Sequence, residues 1–108
     1  MDLLDGRFQD AAAYCQRALA ADAGFAAARR NLALVHAAGG RIDLAWSELQ
    51  RADTPARASY NLGIINLSRR QPAEALTAFA TACRANSIDG CRRATVLRRQ
   101  LATAEDEQ

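Results

Sequence analysis

Few side chains in this sequence have the types and spacing that chemistry would require. The only histidine is His36, and no acid, base or metal ligand accompanies it at a useful spacing, so we expect it to pack at the core or its edge. Ser47, Ser59 and Ser68 have no base nearby in the sequence. Gly39-Gly40 is an isolated glycine pair, which indicates a turn rather than a phosphate-binding loop. We therefore predict a protein that is not an enzyme and has no cofactor and no metal site.

The three cysteines are Cys15, Cys83 and Cys91. Their odd number, without a Cys-x-x-Cys spacing or a histidine pair, argues against a zinc site and against a disulfide framework. Cys15 lies among small apolar residues, where cysteine serves as a small hydrophobe. Cys83 and Cys91 flank one predicted turn, so a single bond between them is the alternative to three free thiols.

The composition indicates which elements would position these groups. Half of the 108 residues are apolar and only 6% are aromatic, with alanine supplying much of the apolar share. Such a composition favours helices that approach each other closely. No run alternates apolar and polar residues long enough for a strand. We predict an all-α protein of one domain.

The net charge and the N-terminal residues argue against nucleic acid as a partner, against a signal peptide and against a membrane span. A net charge of +2 is too small to indicate nucleic acid by itself. The segment MDLLDGRF lacks both the basic and the apolar region of a signal peptide, and no run approaches the roughly 18 apolar residues of a membrane span. We therefore expect a cytoplasmic protein without a membrane span.

All basic residues are arginines, and four of them stand close together near the end of the chain. Arg92-Arg93 and Arg98-Arg99 put four charges on about two turns of the last predicted helix. A solvated helix face is the ordinary interpretation. The alternatives are an acidic partner or nucleic acid, although no aromatic residues interleave for base stacking.

Apolar residues at spacings of three and four predict six helices. Breaks at Asp22-Ala-Gly24, Gly39-Gly40 and Thr54-Pro55 separate them, and Pro72 suits the first turn of the fifth helix. The predicted helices cover about 6–21, 26–38, 42–52, a segment that carries Leu62-Gly63, a segment from Pro72, and 89–103. Residues 105–108 form an acidic tail.

The stretch 56–82 predicts two helices that touch through small residues. Gly63 lies on the first helix and Ala75 on the second, while Phe79 fills the space beside them. With Leu62-Gly63 and Ala75-x3-Phe79 in place, the stretch resembles a tetratricopeptide repeat (TPR). Ser59, Asn66 and Ser87 stand where the family pattern has Trp, Tyr and Pro.

The same spacing recurs upstream of this stretch. Gly6 and Gly40 stand 34 residues apart, which is the TPR repeat length, and Leu32 and Ala45 precede their counterparts by 30 residues. The second helices of the hairpins, or B helices, then align in four columns. These are Phe8/Ile42/Pro72, Ala11/Ala45/Ala75, Cys15/Leu49/Phe79 and Ala18/Ala52/Ala82.

The resemblance implies a TPR-like superhelix, or solenoid, of antiparallel helix pairs in a single domain, 1–104. It divides the chain into a half repeat (6–25), two repeats (26–55 and 56–88) and a capping helix (89–103). It implies a scaffold or adaptor that binds a protein or peptide on the concave face, which the first helices of the hairpins (A helices) line. The implied binding residues are Arg30, Asn31, Leu34, Arg57, Tyr60, Asn61, Ile64, Leu67 and Arg98.

Two asparagines share one position of the A helices. At the position of Asn31 and Asn61, asparagines of TPR proteins hydrogen-bond the backbone of an extended peptide. The alternative is that both simply face solvent. A chaperone-type carboxylate clamp is not expected, because Leu34, Cys91 and Thr95 fall where that clamp needs Asn, Lys and Arg.

The first predicted helix is a B helix without an A helix to cover it. An apolar edge would then remain, and such edges usually mark interfaces. Its residues are Leu3, Leu4, Phe8, Ala12 and Cys15. A self-associating module, such as a homodimer without a separate ligand, is therefore the alternative function. A natural chain that extends upstream, or Leu3 and Leu4 folded back as a lid, would also cover the edge.

The run RRNLALVHAAGGRIDLAWSEL, residues 29–49, looks like the TPR proteins of bacterial Tad (Flp) pilus assembly. Excision from a longer secretion or pilus-assembly protein would imply a periplasmic or membrane-associated location instead of the cytoplasm.

Overall fold

The computed structural model describes the backbone of residues 3–106 and the side chains of Arg7 and residues 9–104. Every regular element among these residues is an α-helix, which confirms the predicted all-α class. The helices are α1 (Leu3–Ala21), α2 (Ala26–Ala38), α3 (Ile42–Ala52), α4 (Pro55–Ser68), α5 (Pro72–Arg84) and α6 (Ile88–Asp106).

The chain forms two compact units, residues 1–53 and residues 54–108. In the first unit α2 packs against both α1 and α3, and in the second α5 packs against both α4 and α6. Turns of a few residues join consecutive helices within each unit, and such short connections make neighbouring helices antiparallel. Each unit is therefore built from the helical hairpins that the repeat spacing predicts.

Proline and threonine set where α4 and α5 begin. The Thr54 hydroxyl oxygen accepts a hydrogen bond from the backbone N–H of Arg57 at 3.4 Å, and Pro55 occupies the first turn of α4. Pro72 likewise lies in the first turn of α5, as predicted, where its missing N–H leaves no hydrogen bond unmade.

The A helices α2 and α4 end in the same way. Gly40 and Arg70 follow their ends with positive φ angles of 81° and 58°. The next residue of each turn donates its backbone N–H back to the helix, from Arg41 to the His36 carbonyl at 2.8 Å and from Gln71 to the Asn66 carbonyl at 2.9 Å. This bonding satisfies carbonyls that the helix end would otherwise leave unpaired.

Two helices are longer than the sequence predicted. α1 begins at Leu3 rather than near Gly6, and α6 ends at Asp106 rather than near residue 103. Two residues of the predicted acidic tail, 105 and 106, are therefore helical, whereas 107 and 108 lie outside the described residues. The physical reason is that extending an existing helix adds a hydrogen bond for each residue without a new nucleation cost.

Two of the four predicted columns supply the core. Cys15, Leu49 and Phe79 are buried, as are Ala45 and Ala75. The third residue of the alanine column, Ala11, is half-buried, and in the Ala18/Ala52/Ala82 column only Ala82 is buried. The column that starts at Phe8 is not a core column, because Ile42 is half-buried and Pro72 is exposed; the Phe8 side chain lies outside the described residues.

Two of the three positions that depart from the TPR pattern are nevertheless internal, whereas the third, Ser87, is half-buried. Ser59 and Asn66, which replace two large aromatic residues, are buried on α4. The described side chains leave no buried nitrogen or oxygen without a hydrogen-bond partner. Their burial therefore avoids the cost of an unpaired polar group.

Cys83 and Cys91 form a disulfide, which corrects the expectation of three free thiols. Their Cα atoms lie 4.5 Å apart, because the short turn between α5 and α6 brings the end of one helix beside the start of the next. Asn86 adopts a φ angle of 76° in this turn. Cys15 is free and buried.

Candidate functional site

The first unit presents part of the predicted binding surface on α2. This helix buries Ala28, Leu32, Ala33 and Ala37 against its neighbours. Asn31 and Leu34 are three residues apart and exposed, and the Leu34 side chain keeps 53% of its surface accessible. The structure therefore leaves an amide and an aliphatic side chain together at the surface of the first A helix.

The third predicted residue of α2, Arg30, is bound to another residue of the same unit. Its Nη1 atom lies 3.1 Å from Oδ1 and 3.2 Å from Oδ2 of Asp53, whose side chain is only 7% exposed. The adjacent Arg29 pairs with Glu48 of α3 at 3.0 Å. Arg30 thus contributes to the unit itself, and a role for it in ligand binding stays a prediction.

The second unit holds most of the predicted binding residues on α4. Arg57 is exposed and Asn61 is half-buried. Tyr60, Ile64 and Leu67 are also half-buried, because they pack against a core cluster. The cluster consists of Ala75, Phe79, Ala94 and Leu97.

Tyr60, Phe79 and Arg93 contact one another in this unit. The Tyr60 and Phe79 ring centroids lie 5.5 Å apart at an interplanar angle of 56°. Arg93 donates a hydrogen bond from Nε to the Tyr60 hydroxyl at 3.0 Å, and its Cζ atom lies 5.8 Å from the Tyr60 ring centroid. The guanidinium is therefore held over an aromatic face, which attracts a cation.

A surface groove of about 310 Å³ lies beside this group, and we call it the α6 groove. Its inner wall is apolar, formed by Leu67, Phe79 and Leu97. The exposed side chains along it all come from α6. They are Arg92, Arg93, Val96 and Gln100.

The predicted site and the α6 groove overlap in Leu67 alone. Arg98 is exposed on α6 but does not line the groove. The spacing of four residues from Arg92 to Val96 and from Val96 to Gln100 places one face of the helix along the groove. That spacing was available in the sequence, but only the packing of α6 on α5 shows which face remains open.

The predicted self-association edge is only partly described. Cys15 is buried, so it is not available to a partner, which corrects its place in that set. Other residues of α1 pack against α2. Ala12 is half-buried, and the side chains of Leu3, Leu4 and Phe8 lie outside the described residues. Homodimer formation stays a prediction.

No cluster of three or more histidine, cysteine, aspartate or glutamate side chains that could hold a metal ion occurs among the described residues. Within the same residues, no helix has the length and apolar character needed to cross a membrane. His36 is half-buried on α2.

The profile of the tetratricopeptide repeat matches the sequence twice, over residues 5–56 and over residues 45–88. The chain belongs to the tetratricopeptide repeat family. TPR units are protein-interaction modules built of stacked helix pairs, and TPR proteins are generally non-enzymatic scaffolds. None of the curated proteins compared with this TPR chain matches it. The exposed residues of the α6 groove follow residue 88 and so lie beyond the part that matches the TPR profile.

Proposed function

We propose that this TPR chain is a non-enzymatic adaptor that binds an extended peptide or protein segment along an A helix, α2 or α4. The observation that carries the proposal is the exposure of Asn31 beside Leu34 on α2. An amide offers both a donor and an acceptor to a peptide backbone, and an exposed leucine offers apolar surface to a side chain.

The second A helix repeats part of this chemistry. Asn61 stands 30 residues after Asn31, at the same position of its repeat, and remains half-buried rather than buried. Arg57 lies one turn earlier on α4 and is exposed. A segment bound along either helix would therefore meet an amide at the same place in each repeat.

The proposal is tested with a displayed library of random linear peptides, from which peptides that bind the chain are selected. Selected peptides are then measured by fluorescence anisotropy with Asn31→Ala and Asn61→Ala. Each variant should weaken binding by roughly five- to tenfold, because each removes hydrogen bonds worth about 1 kcal/mol. Neither should change the helical circular dichroism spectrum.

Gln50→Ala is the matched control, because it removes an exposed amide from α3 rather than from an A helix. If the library yields no binder, the adaptor proposal fails. If the selected peptides bind both asparagine variants as tightly as they bind the unaltered chain, the binding site lies elsewhere on the chain. A mass that rises with concentration in sedimentation, lowered by Phe8→Glu, would favour the self-associating module instead.

We also propose an oxidising compartment in place of the predicted cytoplasm. The Cys83–Cys91 disulfide supports this, since such bonds persist mainly in secreted and periplasmic proteins. Alkylation of the protein in intact native cells, followed by mass spectrometry, would test it. Modified Cys83 and Cys91 without prior reduction would contradict an oxidising location.

A further inference from the structure

We infer that the α6 groove binds an acidic segment of a partner protein that carries one bulky aliphatic side chain. This inference rests on the proposed adaptor function and names the class of ligand. The groove combines two arginines at its exposed edge with an apolar inner wall, and both belong to the second unit.

The arginines of the groove carry charge that the described residues do not neutralise. Arg92 and Arg93 make no ion pair with any described carboxylate. Between residues 54 and 104 the sequence has eight arginines and only two acidic residues, Glu74 and Asp89. A ligand with carboxylates would therefore complement this surface, and arginine can bind a carboxylate through two parallel hydrogen bonds.

Arg93 is already positioned for such a ligand. Its Nε atom is committed to the Tyr60 hydroxyl at 3.0 Å, but a guanidinium has five N–H donors, so its terminal nitrogens remain able to donate. Stacking over Tyr60 and Phe79 also restricts the side chain. Binding to a side chain that is already ordered loses less conformational entropy.

The apolar part of the groove is the reason that we infer an aliphatic side chain in the ligand. Val96 is 53% exposed between the arginines and Gln100, and Leu67 is half-buried beside it. A volume of about 310 Å³ is at the small end of the range for ligand sites, which suits one or two side chains rather than a whole folded element.

The acidic end of the chain itself is not the occupant that we propose. Glu105 lies twelve residues after Arg93 on the same continuous helix. Twelve residues of α-helix span about 18 Å, so Glu105 and Asp106 cannot meet the arginines while α6 is helical.

Nucleic acid would also complement arginine, but the groove lacks a surface for base stacking. Phe79 is fully buried, and the half-buried Tyr60 ring contacts both Phe79 and Arg93. The exposed apolar side chain of the groove is the aliphatic Val96. Proteins that bind single strands usually offer exposed aromatic rings, so these contacts favour an acidic peptide.

The test uses a fluorescein-labelled synthetic peptide that contains a run of aspartates and one leucine. Two companion peptides replace the aspartates with asparagines or the leucine with serine. We expect the aspartate–leucine peptide to bind the chain roughly tenfold more tightly than either companion, and to bind more weakly as salt is raised.

Matched variants locate the binding. Arg92→Gln should weaken binding of the aspartate–leucine peptide roughly tenfold, whereas Arg99→Gln removes the same charge from an exposed position of the same helix outside the groove and should change it little. Val96→Ser should weaken binding, whereas Ile88→Ser, which removes an aliphatic side chain that is 68% exposed and outside the groove, should not.

The outcomes separate this inference from the proposed function. Equal binding of the aspartate and asparagine peptides, or equal losses in Arg92→Gln and Arg99→Gln, would overturn the acidic-ligand inference while library binders still support an adaptor. Tighter binding of a single-stranded RNA oligonucleotide that displaces the peptide would overturn it in favour of nucleic acid. Failure of the whole library would reject the adaptor itself.

Discussion

A β-carbon on Gly63 would lie 2.5 Å from Cε1 of Phe79, closer than real side chains approach each other. The ring of Phe79 is fully buried, so α4 and α5 meet with this residue pair at their contact. The Leu-Gly pair of the first helix and the phenylalanine of the second are therefore one packing feature. The glycine makes room for the ring.

Gly63→Ala should destabilise the second unit. Overpacking of a core costs about 1–3 kcal/mol, which exceeds the gain of up to about 1 kcal/mol from replacing glycine by alanine in a helix. The free energy of unfolding in urea measures the loss. In a Phe79→Leu background the same change should cost less, because the ring is absent. A higher urea midpoint for Gly63→Ala than for the unaltered chain would mean that α4 and α5 do not meet at Gly63 and Phe79.

The two A-helix turns should respond oppositely to glycine substitutions. Arg70 has a φ angle of 58°, which disfavours an L residue, so Arg70→Gly should stabilise the chain by up to about 1 kcal/mol. Gly40→Ala should destabilise it by about 1 kcal/mol, because φ is 81° there and no atom lies within 4 Å of an added β-carbon.

Thermal unfolding followed by circular dichroism measures both changes. Gly39→Ala is the control, because Gly39 has a φ angle of −84° and an added β-carbon would make only ordinary contacts. Loss of stability in Arg70→Gly would argue against the positive φ angle at this turn.

Reduction of the Cys83–Cys91 disulfide should destabilise the second unit by about 2–3 kcal/mol, since the bond closes a loop of about eight residues. Urea unfolding with and without dithiothreitol measures the effect. The double variant Cys83→Ala, Cys91→Ala should unfold at the lower midpoint and be insensitive to dithiothreitol. Cys15 is the only thiol of this variant. If dithiothreitol still lowered its stability, the Cys83–Cys91 disulfide would be contradicted.

The ion pair between Arg29 and Glu48 should stabilise the contact of α2 with α3. Their side chains are 17% and 15% exposed and 3.0 Å apart, so Arg29→Met should cost about 1–3 kcal/mol. Adding Glu48→Gln should recover part of the loss, because the remaining partner is then uncharged. Arg17→Met, which removes an exposed charge from α1, should change the unfolding midpoint little.

The sequence by itself determined the helical class, the boundaries of α2 and α3, and the repeat spacing. These follow from local chemistry: alanine favours helices, and glycine and proline end or start them. The core positions of Leu49 and Phe79 also follow from the spacing, because a residue that recurs at the same place in each hairpin meets the same neighbours.

Tertiary structure decided which helix faces are open. Tyr60 and Ile64 were predicted to face a ligand, but packing in the second unit buries part of each side chain. Arg92, Val96 and Gln100 line a groove because α6 packs on α5 through neighbouring residues such as Ala94 and Leu97. The disulfide likewise depends on how the turn at Asn86 places two helix ends. Residue types and spacing do not specify which face of each helix is covered or where the helix ends meet, since both depend on how two packed surfaces fit together.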